Sequence, residues 1–370
     1  MKIPAGVLPS QTLSTLIQQD VINASSPFDS GQIQPASLDL RLGVNAWRIQ
    51  ASFLPGSESK VLDKLQKFAL HELNLKNGAV LEKGCVYLVE LQESLNLPNS
   101  ISGMANPKSS TGRLDVFTRL ITDYAREFEL VSKGYSGPLY AEISPRTFSV
   151  LARTGSRLSQ VRLRSGAKVV DDVELTALQQ KFALVSSDAT LPQTALINDG
   201  IGLSVNLKSE NQDDIIGWRA RKHAGLIDVD EVGRLDKSRF WEAVTTTDLV
   251  DGGLVLNPDE FYILSSREYV CVPKNFAAEM RPYDTRVGEF RAHYAGFFDP
   301  GFGLETPGVR KTRAVLEVRS HDVPFLVEQG QIVCRLIYEP MSETPESLYG
   351  AMKSLSNYQS QGLKLAKHFK

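Results

Sequence analysis

Twice this chain places a lone carboxylate on a short alternating strand just after an aromatic-glycine turn. In KGYSGPLYAEIS the acid is Glu142, and downstream of HYAGFFDPGFG, within RAVLEVRS, it is Glu317. Alternation in PLYAEIS puts Tyr140, Glu142 and Ser144 on one face and Leu139, Ala141 and Ile143 on the other, so a fixed strand aims the carboxylate. With partial burial to raise its pKa, such an acid can pass protons near neutral pH; the alternative is an outward-facing surface charge. A second group is NPKSSTGR, residues 106–113, where Lys108, Ser109, Ser110 and Arg113 put two cations and two hydroxyls in one loop. Hydroxyls, backbone N–H groups and cations converging in this way suit a polyanion, and the competing reading is a solvated turn capped by serine. A zinc ion that activates water through His-x-Glu and Pro-Cys-x-x-Cys is ruled out, since neither pattern occurs. His71, His223, His293, His321 and His368 have no credible ligand spacing and read as surface or structural residues.

The elements that must position these groups recur along the chain. AVLEKGCVYLVE at 79–90 aligns with LVLNPDEFYILS at 254–265, an offset of 175 that also relates Pro98 to Pro273 and Glu142 to Glu317. LPSQTLSTLIQQ at 8–19 resembles VDDVELTALQQK at 170–181, and SLDLRL at 37–42 resembles GLSVNL at 202–207. Ordered self-similarity of this kind marks an internal duplication, with the boundary near Arg164-Ser165-Gly166 and domains at 1–165 and 166–370. Each half opens on one short helix, capped by Ser10 in the first and by Asp171 or Asp172 in the second. VLDKLQKFALHEL at 61–73 is a further helix candidate. The remainder reads as short strands rich in β-branched and aromatic residues, which predicts a mainly all-β chain of two tandem barrels or jelly rolls.

Bulk properties narrow the class. With 41 basic and 43 acidic residues the formal net charge is −2, which argues for neither polynucleotide nor anionic membrane, so any anion site is local. Three dispersed cysteines suit a reducing compartment, and no apolar run approaches the length of a membrane span; the expectation is a cytoplasmic protein. The arginine-dense stretch 144–166 has a non-basic counterpart in the second half, so Arg153, Arg157 and Arg162 read as a solvated or inter-barrel face rather than a polynucleotide groove.

QIQPASLDLRLG at 32–43, ANPKSSTGRLDVF at 105–117, the YSGPLYAE and DPGFG…VLE turns and the tail NYQSQGLKLAKHF at 357–369 together resemble the dCTP deaminase family, relatives of trimeric dUTPase, in a duplicated, double-length form. The resemblance covers nearly the whole chain. It implies a distorted barrel of the β-clip type, with nucleotide sites where neighbouring barrels meet, and zinc-independent hydrolysis of dCTP to dUTP and ammonia. It implies that Lys108, Ser109, Ser110 and Arg113 hold the triphosphate, with Ser109 and Arg113 also reaching the reacting centre, and that Glu142 and Glu317 are the catalytic acids. It also implies that Tyr358, Gln359 and Gln361 fold over the bound nucleotide. Protein ligands hold no metal in this reading, and Mg²⁺ enters with the substrate triphosphate. The family habit of three barrels per ring favours a homotrimer, with dimer or monomer left open.

The halves depart from the pattern in complementary ways. Where the family has an Ala-His pair the first half has Thr122 and Asp123, and its turn lacks the Asp and Pro. In the second half Ala295, Asp299 and Gly301 are present, but the serines of the phosphate stretch are gone, leaving Arg281 and Arg286 at matching spacing in uncertain register. This suggests one composite site joining Lys108–Arg113 to Ala295, Asp299 and Glu317; the rival is a complete site around Glu142 with the second half as scaffold. For activity, dUTP pyrophosphohydrolase or a bifunctional enzyme is the near alternative, since Asp123 and Asp299 lie near where dUTPases place a water-activating aspartate. A non-catalytic nucleotide-binding barrel is the distant one.

Overall fold

The computed structural model describes residues 3–166, 169–187, 195–209, 213–281, 291–292, 296–304, 312–320, 322–350, 358 and 361–370. Strands dominate, and the long ones are rich in Val, Ile, Leu, Tyr and Phe. One ten-stranded sheet is built from the first half. Along its main path the order is Val116–Thr122, Ser136–Pro145, Val86–Asn96, Leu38–Ile49, Arg157–Ser165, Ile101–Pro107 and Leu130–Val131. A second ten-stranded sheet follows the order Trp241–Thr245, Ile215–Ala220, Phe261–Val270, Ile201–Asn206, Ile332–Pro340, Phe276–Arg281 and Phe297–Phe298, with Arg313–Arg319 also pairing on Phe261–Val270. Register repeats with order. Glu142 faces Leu88 and Glu317 faces Ile263, both partners displaced by 175, and the same displacement carries the Ile101–Ser165 pair onto Phe276–Pro340.

The halves are joined by backbone as well as by packing. Val150–Ala152 lies between Ala79–Leu81 of its own half and Ile227–Asp228 of the other in a three-stranded sheet, and Val7 bridges Met341. The largest hydrophobic cluster draws Leu40, Val89, Phe148 and Val161 together with Trp241, Phe261, Val315 and Leu365, so the first core is completed by the second half. A separate cluster of second-half residues fills the other barrel.

Helix starts follow local chemistry unevenly. The Asp171 side chain accepts from the Glu174 N–H at 2.8 Å and caps Asp172–Phe182 as expected. Ser10, by contrast, lies inside its helix, Ser10–Gln18, after Pro9 at the cap position, and its hydroxyl makes no cap bond there. The candidate at 61–73 is helical only over Val61–Phe68 before the chain turns into the strand Ala69–Asn74. Leu65 and Val61 of that helix, with Phe53, cover the outer face of the first-half strands, so both faces of Ser136–Pro145 are buried from Leu139 onward.

Candidate active site

The two strand acids meet different fates because their strands turn different faces to the rest of the molecule. On Arg313–Arg319, Ala314, Leu316 and Val318 point into the second-half core while Val315 packs into the cluster shared with the first half. Glu317 and Arg319 share the Val315 face by the period of two, and so look across the contact between the halves. On Ser136–Pro145, Glu142 lies on the face of Tyr140, under the helix Val61–Phe68. It makes a close ion pair with Arg119, whose Nε also donates to Glu142 Oε1 at 3.1 Å and whose guanidinium lies 3.7 Å from the Phe128 ring centroid. Asp123 is equally committed, accepting from the Val61 N–H at 2.8 Å.

Between the halves lies a cavity of about 500 Å³, within the ordinary range for small-molecule sites. The first half contributes Pro107–Ser110, Gly112 and Arg113, with Asp39, Arg157 and Gln160; the second contributes Phe297–Asp299, Phe302, Glu317 and the tail residues Tyr358, Gln361 and Lys367. Of the residues singled out in the sequence, Lys108, Ser109, Ser110, Arg113, Asp299, Glu317, Tyr358 and Gln361 are thus gathered in one place. Glu142 and Arg281 are not among the lining residues; Arg281 is exposed at the end of its strand. Arg286, Ala295 and Gln359 lie outside the described residues.

Arg113 is the hub. Its Nη1 donates to the Lys364 carbonyl at 2.9 Å, its Nη2 to Gln361 Oε1 at 3.0 Å, and its guanidinium stacks 3.9 Å from the Tyr358 ring centroid. Its Nε stands 3.8 Å from Glu317 Oε1, an ion pair longer than a hydrogen bond. Burial pushes the Glu317 carboxyl up to about 7 against the opposing pull of Arg113. The tail is itself held: Gln361 Nε2 donates to the Arg313 carbonyl at 3.2 Å and the Arg313 N–H donates to the Gln361 carbonyl at 2.9 Å. Beyond it, Phe369 sits with Phe240 and Trp241 at ring-centroid distances of 5.4 and 5.9 Å, and the Lys370 N–H donates to the Leu235 carbonyl at 2.9 Å.

Cations crowd the loop. Lys108 Nζ is 2.5 Å from Asp39 Oδ2, Arg157 bonds Asp29 at 2.8 Å, and burial followed by the nearby Lys108 charge lowers the Lys367 pKa. On the opposite wall Asp299 is buried and its pKa raised by that burial, with Arg162 opposing the shift. Arg162, fully buried, crosses from the first half to the Ala278 carbonyl at 3.0 Å and to Asp299 Oδ1 at 3.2 Å, lying 4.0 Å from the Phe297 ring centroid. The turn after Asp299 requires glycine: Gly303 has φ of +63°, and a Cβ there would stand 1.9 Å from the Val270 carbonyl oxygen.

Asp39, Arg157, Gln160, Asp230 and Lys367 line the cavity without having been singled out as site residues. Asp39 lies in the quoted PASLDLRLG stretch and Lys367 in the quoted tail, but isolated charges there carry no spacing signal. Among the described residues no group of three or more His, Cys, Asp or Glu is placed to hold a metal ion. No described helix is long and apolar enough to cross a membrane.

Comparison with known proteins bears on the whole chain. The family models described as 2'-deoxycytidine 5'-triphosphate deaminase (DCD) N-terminal domain and C-terminal domain match residues 4–167 and 171–369. The crystal structure of 2'-deoxycytidine 5'-triphosphate deaminase from Agrobacterium tumefaciens superposes with a TM-score of 0.85 at 51% identity, covering 91% of this chain and 99% of that one. Curated relatives include the "dCTP deaminase, dUMP-forming" proteins of Methanobrevibacter smithii and Methanothermobacter thermautotrophicus, 31% and 29% identical over 34% of this chain in each case. Those matches span 63% and 61% of the relatives' own length. Matched in both halves, and along nearly all of a structure from the same group, the chain belongs to the 2'-deoxycytidine 5'-triphosphate deaminase family.

Proposed function

We propose that the cavity between the halves hydrolyses the 4-amino group of dCTP, giving dUTP and ammonia. The observation that carries this reading is Glu317, buried beside Arg113 in a cavity that also gathers Lys108, Arg157 and Lys367. A carboxyl whose pKa stands at about 7 takes and returns a proton with comparable ease at neutral pH. Ionised Glu317 takes a proton from water as the water oxygen bonds to C4, and returns that same proton to the ring nitrogen N3. The second water proton reaches the amine, the C4–N4 bond breaks and ammonia leaves. Arg113 stabilises the ionised acid, and Tyr358, Gln361 and the Lys364 carbonyl fix the guanidinium and exclude solvent.

Lys108, Ser109, Ser110, Arg157 and Lys367 bind the triphosphate, with Mg²⁺ arriving as part of the substrate. Asp299 and the aromatic wall of Phe298 and Phe302 bound the nucleoside. In this reading Glu142 is structural, its charge spent on Arg119, and one complete site arises from residues 1–165 and 166–370 as two diverged copies of one unit. The common strand order and the 175-residue register support that division.

A second reading concerns the product. The curated relatives carry dUMP-forming names, and the same chemistry here would add hydrolysis of the α–β phosphoanhydride, yielding dUMP and diphosphate. Incubation of the full chain with dCTP and Mg²⁺, following ammonia, dUTP, dUMP and diphosphate together, tests both. Ammonia with dUTP supports the first reading, ammonia with dUMP and diphosphate the second, and absence of ammonia overturns both.

A further inference from the structure

The charges on the two sides of the contact between the halves alternate. The corner that follows the Lys-Ser-Ser loop carries Arg113 and Asp115, and the facing strand carries Glu317 and Arg319. Arg113 stands opposite Glu317, and Asp115 makes a close ion pair with Arg319. Thr147 ties the second pair together, donating to Asp115 Oδ2 at 2.6 Å and accepting from Arg319 Nη2 at 2.8 Å. Asp115 is buried at a left-handed φ of 56°, and its backbone is fixed by bonds to the Gly112 carbonyl and from the Arg146 N–H, each at 2.9 Å. The corner is therefore rigid. Arg319 is two residues beyond Glu317 on the same strand face, so anchoring one sets the position of the other. In the first half the residue two beyond Glu142 is Ser144, and the arginine that pairs with Glu142 comes from the adjacent strand of its own sheet.

A buried ion pair recovers little net stability over a well-packed apolar substitute, because both charges lose their hydration; its best-attested use, in some systems, is to fix register. We propose that Asp115, Thr147 and Arg319 are positioning residues for deamination, holding the Glu317 strand at the point along the Arg113–Asp115 corner where the acid faces Arg113. This rests on the reading of Glu317 as the proton-transferring acid. The charges acting on Glu317 are Arg113 and Asp115 from the corner; Cys334 from the strand Ile332–Pro340 and Tyr358 from the tail feel the Glu317 charge in turn, and Arg319 shares its strand face.

The test is a pH–rate series on the full chain with Asp115→Asn, Arg319→Gln, the double variant, Thr147→Val and a Glu317→Gln control. Asp115→Asn leaves the Arg319 cation unopposed near Glu317, which favours the carboxylate and moves the acid limb of kcat down by about one pH unit. Arg319→Gln removes a cation that pairs with Asp115 and so moves the limb up. The double variant returns the limb to its original place while kcat stays about tenfold or more below the parent and KM changes little, because orientation is lost and charge balance is not. Shifts in the same direction, or unchanged profiles with unchanged kcat, overturn the proposal. Should the buried-charge variants fail to fold, Thr147→Val removes only two hydrogen bonds; kcat falling about threefold or more at constant KM is expected, and an unchanged kcat overturns the proposal. Full activity in Glu317→Gln would instead sink the acid assignment itself, and the positioning role with it.

Discussion

At the scale of residues, the two strand glutamates form a natural experiment. Glu317→Gln is expected to lower kcat by about 10²–10⁴-fold, the usual contribution of a positioned acid–base group. Glu142→Gln is expected to leave kcat within a few-fold while destabilising the fold by about 1–3 kcal/mol, since Arg119 loses a hydrogen-bonded partner. Ammonia release and thermal unfolding, measured on both variants, separate the two outcomes. The raised pKa of Glu317 has a second consequence. A free glutamate ionises near 4.5 and the folded one near 7, so the folded chain holds the proton more tightly. Stability from this source is complete below about pH 4.5 and is lost as pH rises through about 7. Glu317→Gln should therefore unfold at a higher temperature than the parent at pH 8, with the difference shrinking towards pH 4; the melting curves report it without reference to catalysis.

Elements decide which residues meet, and the C-terminal segment shows how. Phe369 packs on Phe240 and Trp241 while Gln361 and Tyr358 grip Arg113, so the same short stretch is anchored in a core and in the cavity. Phe369→Ala is expected to cost about 1–3 kcal/mol in unfolding free energy and to raise KM for the nucleotide several-fold, as the grip on Arg113 loosens. What was legible beforehand has a physical pattern. Lys108–Arg113 stands out because charge and hydroxyls are concentrated within a few residues, the strand acids because each recurs alone on a strand after an aromatic-glycine turn, and the tail through its Tyr-Gln-x-Gln order. Asp39 and Asp230 could not stand out, because each is a solitary charge delivered by long-range pairing, whereas Arg157 was readable only as part of an arginine-dense face and Lys367 only as part of the tail. The covering of Glu142 was equally hidden. It depends on Phe53 and the helix Val61–Phe68 folding back over the sheet, an arrangement no local period encodes. Arg162 was readable only as far as an inter-barrel face; its bond to Asp299 needed the approach of the second half.

For the whole molecule, the two halves are unequal contributors to one cavity, and the groups proposed to bind phosphate and to move the proton are drawn from both. Specific activity is accordingly expected to stay constant on dilution through any oligomer dissociation, measured by rate assays alongside sedimentation; a loss that tracks dissociation would show that a neighbouring copy completes the site. Lys108 rests against Asp39, Arg157 against Asp29, and the chain as a whole carries a formal charge of −2. The cavity therefore projects little positive potential into solvent, and kcat/KM should vary only weakly with ionic strength, unlike a site that draws anions in from a distance. A nucleotide that reaches Lys108 has to take the ammonium away from Asp39, so affinity measures the preference of one cation between two anions, and discrimination begins only once the ligand is already inside.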